Sequence, residues 1–433
     1  MRGCVLVAAL QRRVAVKSRG QVVALVMIGL VALLGISAIA VDVGDLWTTR
    51  HLMQTAADAG AVAAVDAITI GQTSLTELTT AADAATAQNG FTNGSSTAAN
   101  SNLVTVSVVN PPTSGPYAYN TNAVQVTVSQ NQPTYFMRVL GWSQVPVSTE
   151  AVALTVSGGS CVYALDPWAS GTIDLSGGGN LNSTCGVYDN SKSSSALVVG
   201  GTSILQAPLV GVVGGTNING GGSTPPTSGI SAFGDPLAWV PEPTGYGTCS
   251  SYSTENVDTT VTLYPGLYCG GLKINGQANI RFSAGTYVMD GGGLTIVAGA
   301  VVAGSNVTFY LTGANVANSN PGSYAGVNIA GGTTVNLSAP CDSDNGGIMG
   351  MLFFQDRSIT SGVSSQINGG SNSSFTGAIY FPTTPLTYNG SSGADQYTYL
   401  VSDTLTVNGT ANIGNNYGCL KGGSLIKNAS LVE

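Results

Sequence analysis

The chain has 433 residues, of which 43% are apolar and only 8% charged, with 59 glycines and a formal net charge of −8. An ordinary soluble domain carries about 25% charged residues and nucleic-acid binders cluster basic side chains against phosphates, so this acidic, weakly charged chain excludes nucleic acid as a partner. Its length allows about two or three domains.

Residues 1–19 carry Arg2, Arg12, Arg13, Lys17 and Arg19 and no acid. Twenty uncharged residues, Val22–Val41, follow. At about 1.5 Å per residue they cross a hydrocarbon core of about 30 Å. Basic flanks stay in the cytoplasm. The reading is therefore a cytoplasmic basic tail (1–19), a transmembrane helix (20–45) and an extracytoplasmic remainder. The competing reading is a cleaved signal peptide, for which Ser37-Ala-Ile-Ala40 supplies a small-x-small site. Beyond the span the pattern stays helical. Ala56, Gly60 and Ala64 recur four apart and line one face, which lets another helix approach closely, either a partner's or one from the same domain. The single histidine, His51, has no partners for nucleophilic catalysis at its helical position and reads as a residue near the lipid interface.

Arg19, Gly20, Ala40, Asp42, Gly44 and Leu46, followed by Ala56, Ala57, Asp58 and Ala59, resemble the N-terminal module of Tad/Flp pilus-assembly proteins of the TadE/TadG type. The resemblance covers Arg19 to Val65. Pilin-like members carry a Glu five residues after the cleaved Gly, where Leu25 stands here, which speaks against prepilin-type processing. Many TadG-like chains also carry a von Willebrand A domain with an Asp-x-Ser-x-Ser metal site; Asp174-Leu-Ser-Gly-Gly178 lacks the second Ser.

From 46 to 157 the pattern predicts an α+β neck. A helix over Ser74–Gln88 ends at Asn89-Gly90. Alternating Val104, Val106, Val108 and Val124, Val126, Val128 give strands, Pro133 precedes a short helix over Tyr135–Leu140, and a last strand runs Val145–Val156. This order suits a small antiparallel sheet carrying a helix, and similar small modules follow the helix in TadG-like chains.

From 158 to 433 the sequence repeats. Leu272-Lys-Ile-Asn-Gly-Gln-Ala-Asn-Ile280 and Leu405-Thr-Val-Asn-Gly-Thr-Ala-Asn-Ile413 share one pattern, with looser copies at 197–204, 327–335 and 367–375. Each copy is a short strand, a Gly or Asn corner and another short strand. One copy cannot bury its apolar row, but copies stacked about 4.8 Å apart can. The expected fold is mainly β: a right-handed parallel β-helix or β-solenoid, with a β-sandwich of hairpins as the alternative. The Gly/Pro/Ser-rich stretch 216–243 is expected as a loop thrown out of the solenoid. The segment from Cys161-Val-Tyr-Ala-Leu-Asp-Pro167 onward resembles the C-terminal half of uncharacterised TadG-like chains.

Six cysteines (Cys161, Cys185, Cys249, Cys269, Cys341, Cys419) lie beyond the span, an even number that suits disulfides in an oxidising compartment. Sequence alone leaves about 15 pairings. Cys161–Cys185 and Cys249–Cys269 are the pairs expected, since each closes a short loop flanked by turn residues, and Cys341–Cys419 remains. Without a Cys-x-x-Cys, zinc and redox chemistry lack support. Asp342-Ser-Asp-Asn-Gly-Gly347 places Asp342 and Asp344 as weak calcium ligands, with Phe353 where the bidentate Glu of a calcium loop would stand. The remaining acids are scattered singly, and Asp356-Arg357 reads as a local ion pair at a strand end.

These readings, with the resemblance, imply a membrane-anchored structural component of a Tad/Flp pilus-assembly or tight-adherence system. It would cross a bacterial inner membrane once, hold its bulk in the periplasm or outside the cell, and dock to pilus-assembly proteins through the Ala/Gly helix. No cofactor and no catalysis are expected. One alternative is an adhesin binding cell-wall or surface glycan, with Tyr380, Tyr388, Tyr397 and Tyr399 stacked on sugar rings. The other is a polysaccharide lyase or hydrolase, which needs carboxylates gathered in a groove.

Overall fold

The computed structural model describes residues 19–95, 103–315, 320–344, 346–369, 372–390, 396–420 and 423–432. Most of the basic tail, residues 1–18, lies outside them, as do residue 345 of the 342–347 segment and residues 370–371 of the looser repeat copy. The chain forms two compact units: residues 1–156 with 429–433, and residues 157–428.

In the first unit a single helix, α1 (Arg19–Thr69), contains the whole apolar run. One part of it, starting at Val22, is long and apolar enough to cross a membrane, and its most apolar window has no side chains buried within the protein. The capped helix α2 (Leu75–Gln88) follows, with Ser74 at its N-cap. Then come β1 (Thr105–Val109), β2 (Ala123–Pro133) and β3 (Gln144–Ser157). They pair antiparallel in the order β1-β2-β3, and the last strand of the chain, Lys427–Val432, continues the sheet beyond β3. The expected boundary gave those final residues to the solenoid; instead they cover the free edge of β3 and pair its open backbone groups. Val124, Val126 and Val128 of β2 face α1 and α2 in one small core with Ala56, Ala57, Ala61, Ala64, Leu78 and Ala82.

The second unit is a β-solenoid of parallel rungs, and the parallel pairing excludes the sandwich alternative. One face stacks, in order, Glu255–Val257, Leu272–Ile274, Leu294–Ile296, Val327–Ile329, Ser365–Ile367, Leu386–Tyr388, Leu405–Thr406, Ile173–Leu175 and the start of Leu197–Gln206. Leu272 pairs with Leu294, and Leu294 with Val327, while Ile274 pairs with Ile296 and Ile296 with Ile329. These positions are buried, whereas Lys273 and Asn328 between them face outward, the two-residue period of a strand with one covered side. The repeat copies 272–280 and 405–413 occupy equivalent corners, each entering a second face through Asn279–Phe282 and Thr410–Ile413. A third face carries Tyr287, Phe309 and Phe353 in register, and then Ile379, Leu400 and Val162.

The order of the stack differs from the order of the chain. The solenoid starts in its own middle. Ser160–Ala164 lies on Thr398–Ser402, so the first and last rungs share a seam. Gly179 sits there because a Cβ would collide with the carbonyl oxygen of Val407. Successive rungs leave the seam as far as Thr216–Ser223 and Thr227–Ser228, which pair in parallel on Leu197–Gln206 and Val210–Val212. Residues 216–228 are thus rungs, not the loop expected at 216–243, because Gly is tolerated in a strand where a neighbouring backbone approaches closely. The chain then returns along the third face as a strap, residues 229–254, and restarts at the opposite end with Glu255–Val257. Disulfides join Cys161 to Cys185, Cys249 to Cys269 and Cys341 to Cys419, with Cα–Cα distances of 5.7, 5.6 and 5.4 Å.

Candidate functional site

The Asp42 and Gly44 positions of the N-terminal motif lie where α1 leaves its apolar stretch. A carboxylate is costly in hydrocarbon, so Asp42, directly after Val41, marks the exit. It is 2% exposed. Its Oδ1 accepts the N–H of Tyr135 at 2.9 Å, and its Oδ2 accepts those of Phe136 and Met137 at 2.8 and 2.6 Å. These are the leading amides of the 3-10 turn Met137–Leu140, which has no side-chain cap of its own. Asp42 supplies that cap from another element, and the negative charge strengthens each bond. Farther along α1, Asp45 accepts from Gln132 Nε2 at 3.1 Å, and Gln54 donates to the Glu150 carbonyl at 3.0 Å. The β2–β3 hairpin therefore runs alongside α1 with its tip at the level of Asp42.

The small-residue face of α1 is occupied from within. A Cβ on Gly60 would stand 2.9 Å from Thr86 Cγ2 of α2 and 3.2 Å from Val126 Cγ1 of β2. Ala56, Ala57 and Ala64 are fully buried in the same core. This corrects the expectation that the Ala/Gly helix docks a partner: closely spaced small residues here let the protein's own α2 and sheet approach. Asp58 accepts from Gln54 at 2.8 Å on the helix surface. Gly44 has open space around its Cβ position, and nothing in the structure explains its place in the motif. The side chains of Arg19 and Gly20 are outside the described set. His51 is exposed and stacks edge-on with Trp47 at 4.2 Å.

In the solenoid, the tyrosines considered for glycan stacking are buried. Tyr380, Tyr388, Tyr397 and Tyr399 are each 0% exposed, which overturns their role as a sugar platform. Tyr380 belongs to an outward row on the third face, with Tyr310, Phe354 and Tyr163 in register, and the strap covers that row. Phe233 packs on Tyr163 and Tyr188, and Tyr246 on Tyr310.

Arg357 locks the strap in place. Its Nε donates to Tyr380 Oη at 2.6 Å, and its Nη2 donates to the carbonyls of Leu237 and Val240 at 2.8 and 2.9 Å. Its Nη1 lies 3.6 Å from Glu242. Tyr380 in turn donates to Asp235. Burial raises the Asp235 carboxyl, while the Tyr380 hydroxyl, the Leu237 N–H and Arg357 oppose that shift. Asp356 accepts instead from Thr312 and Ser358, so the local Asp356–Arg357 ion pair is corrected to a longer-range pair with Glu242. The guanidinium is committed to holding the strap rather than open to a substrate.

The N–H of Asp344 donates to Asp342 at 3.1 Å in a local turn. Among the described residues no three His, Cys, Asp or Glu side chains gather as a metal site.

Comparison with known proteins places similarity at the N-terminal side. Residues 20–67 match the Tad family, described as Flp pilus-assembly TadE/G-like. Residues 54–153 match Tad_C, described as Tad-like Flp pilus-assembly. No curated protein matches, and no solved structure matches.

Proposed function

We propose that this chain, whose residues 20–153 match Tad/Flp pilus-assembly family models, is a membrane-held structural component of a Tad system that carries a β-solenoid on the far side of the inner membrane. The observation that supports this most is the junction at Asp42. A residue of the family motif placed at the end of the uncharged stretch of α1 ties that stretch to the folded neck by accepting three backbone N–H bonds. Such a joint transmits force between an anchor and a folded load without chemistry. The solenoid suits a presenting role, since its aromatic row is covered by the strap and its Arg357 donates three hydrogen bonds to protein acceptors. We assign no catalysis and no glycan platform to it.

The test is protease treatment of spheroplasts from a bacterium that carries the chain, with the solenoid followed by antibody. The expected result is a membrane-fraction protein whose solenoid is trimmed from outside, together with loss of Flp-type pili when the gene is deleted. Recovery of the protein in the cytosol, or normal pili in its absence, would overturn the reading.

A further inference from the structure

The tip of the β2–β3 hairpin has a surface that the anchor alone does not explain. Soluble proteins rarely gather large apolar side chains in one exposed patch. Here Tyr135, Phe136, Val139, Leu140 and Trp142 are all exposed, Val139 at 86%. They come from one short loop between Pro133 and Gln144, the last paired residues of β2 and β3. Its amides are widely bonded: Gly141 N–H donates to Arg138, Trp142 N–H to Met137 and Thr134 N–H to Ser143, and those of Tyr135, Phe136 and Met137 go to Asp42. These bonds lower the cost of bringing the turn into an apolar medium.

Its position says what covers it. Moving down the hairpin, Glu150 meets Gln54, Gln132 meets Asp45, and Tyr135 to Met137 meet Asp42. Each step toward the tip is a step along α1 toward Val41, the end of the uncharged run. The tip therefore reaches the level at which a membrane-crossing helix enters lipid. Its composition fits that level. Tyr and Trp favour the headgroup boundary, and Trp47 of α1 is exposed just beyond. Arg138 is the tip's only charge and suits an anionic headgroup.

We infer that the hairpin tip, residues 134–143, is a second membrane contact that inserts its aromatic and aliphatic side chains into the leaflet from which α1 emerges. Asp42 holds the two contacts together, so the neck is fixed by two points and cannot swivel about a single helix. This rests on α1 crossing the bilayer, and the experiment separates the two claims.

The full-length chain is reconstituted in phosphatidylethanolamine–phosphatidylglycerol vesicles, with Trp47, Trp168 and Trp239 each replaced by Phe so that Trp142 is the only emitter. Protein that floats with the vesicles after alkaline washing is measured. The expected result is a blue-shifted Trp142 emission that brominated lipid largely quenches and aqueous iodide does not. The double substitution V139D/L140D in the same background should return Trp142 to iodide and remove the lipid quenching. Floating protein whose Trp142 is quenched by iodide and untouched by brominated lipid would overturn the second contact while leaving the anchor standing. Protein that fails to float would overturn both.

Discussion

In the first unit, β1, β2 and β3 pair with their neighbours in the chain, β2 meeting β3 through a hairpin in which Pro133 pairs with Gln144, and a distant segment, Lys427–Val432, is added at the edge. In the solenoid, Leu272 pairs with Leu294 and Ser402 with Ala164. The first unit fills its core with Ala and Val against two helices. The solenoid fills its own with stacked aromatics, Phe309 lying between Tyr287 and Phe353 at ring distances of 5.3 and 5.5 Å. A thin α+β core relies on close backbone approach, so small residues matter most there. A stack of narrow rungs relies on side chains that span the space between strands, so large ones do. Each core has its own set of buried residues, and the two should yield to different insults.

The largest effect should come from the aromatic ladder. Phe309→Ala removes a fully buried ring from the middle of the stack and should cost about 3–5 kcal/mol. Urea unfolding followed by Trp239 fluorescence, with Trp47, Trp142 and Trp168 replaced by Phe, should show the loss, while hydrogen exchange in β2 stays unchanged. A matching rise in β2 exchange would break the comparison. Next comes the strap. Its far end is held by Cys249–Cys269, separated by 20 residues. Replacing both with Ser removes a constraint of about 3 kcal/mol and should raise exchange in residues 243–254 more than in the rungs beneath.

The contrast also explains which features are readable before folding. The neck follows from local signals: alternating Val at 124, 126 and 128, the helix stop at Asn89-Gly90 and the break at Pro133 all sit where the structure uses them. The rung repeat is equally local, and 272–280 and 405–413 both turn the same corner. The order of rungs is not local. Nothing between Cys161 and Ala164 announces that this segment will lie on Thr398–Ser402, because parallel pairing is set by which apolar rows remain open after the rest has stacked. The strap was hidden by its composition: Gly and Pro read as a loop, although Leu237 and Val240 are buried and their spacing is the signal that could have marked it. The small face of α1 failed in another way. Sequence shows that something packs closely on Gly60 but not whether it is the chain itself.

A smaller effect tests the seam electrostatically. Asp189 is 1% exposed, and burial, with the nearby Asp166 charge adding to it, pushes its carboxyl up to about 6 from an ordinary 3.8. A raised folded value means that the folded seam favours the protonated acid. The stability contributed is complete below the ordinary value and is lost as pH rises through about 6. Asp189→Asn keeps the shape and removes the charge. It should therefore stabilise the solenoid near neutral pH by about 1–2 kcal/mol, and the gain should vanish near pH 4. Urea midpoints at the two pH values decide the point, since an equal gain at both would mean that the charge is not what strains the seam.

The smallest effect belongs to the neck. Ser74 Oγ accepts the Glu77 N–H at 3.3 Å, and the Ser74 N–H donates back to Glu77 Oε2 at 3.1 Å. Ser74→Ala opens this capping box and should cost about 1 kcal/mol. Because Leu78, Ala82 and Thr86 seat α2 in the neck core, the loss should appear as faster exchange along α2 and at the Gly60 turn of α1, with the Trp239 transition of the solenoid unmoved. A helix held by one face against small residues has few other contacts to absorb a lost cap, which is why so exposed a serine should be felt at a buried glycine.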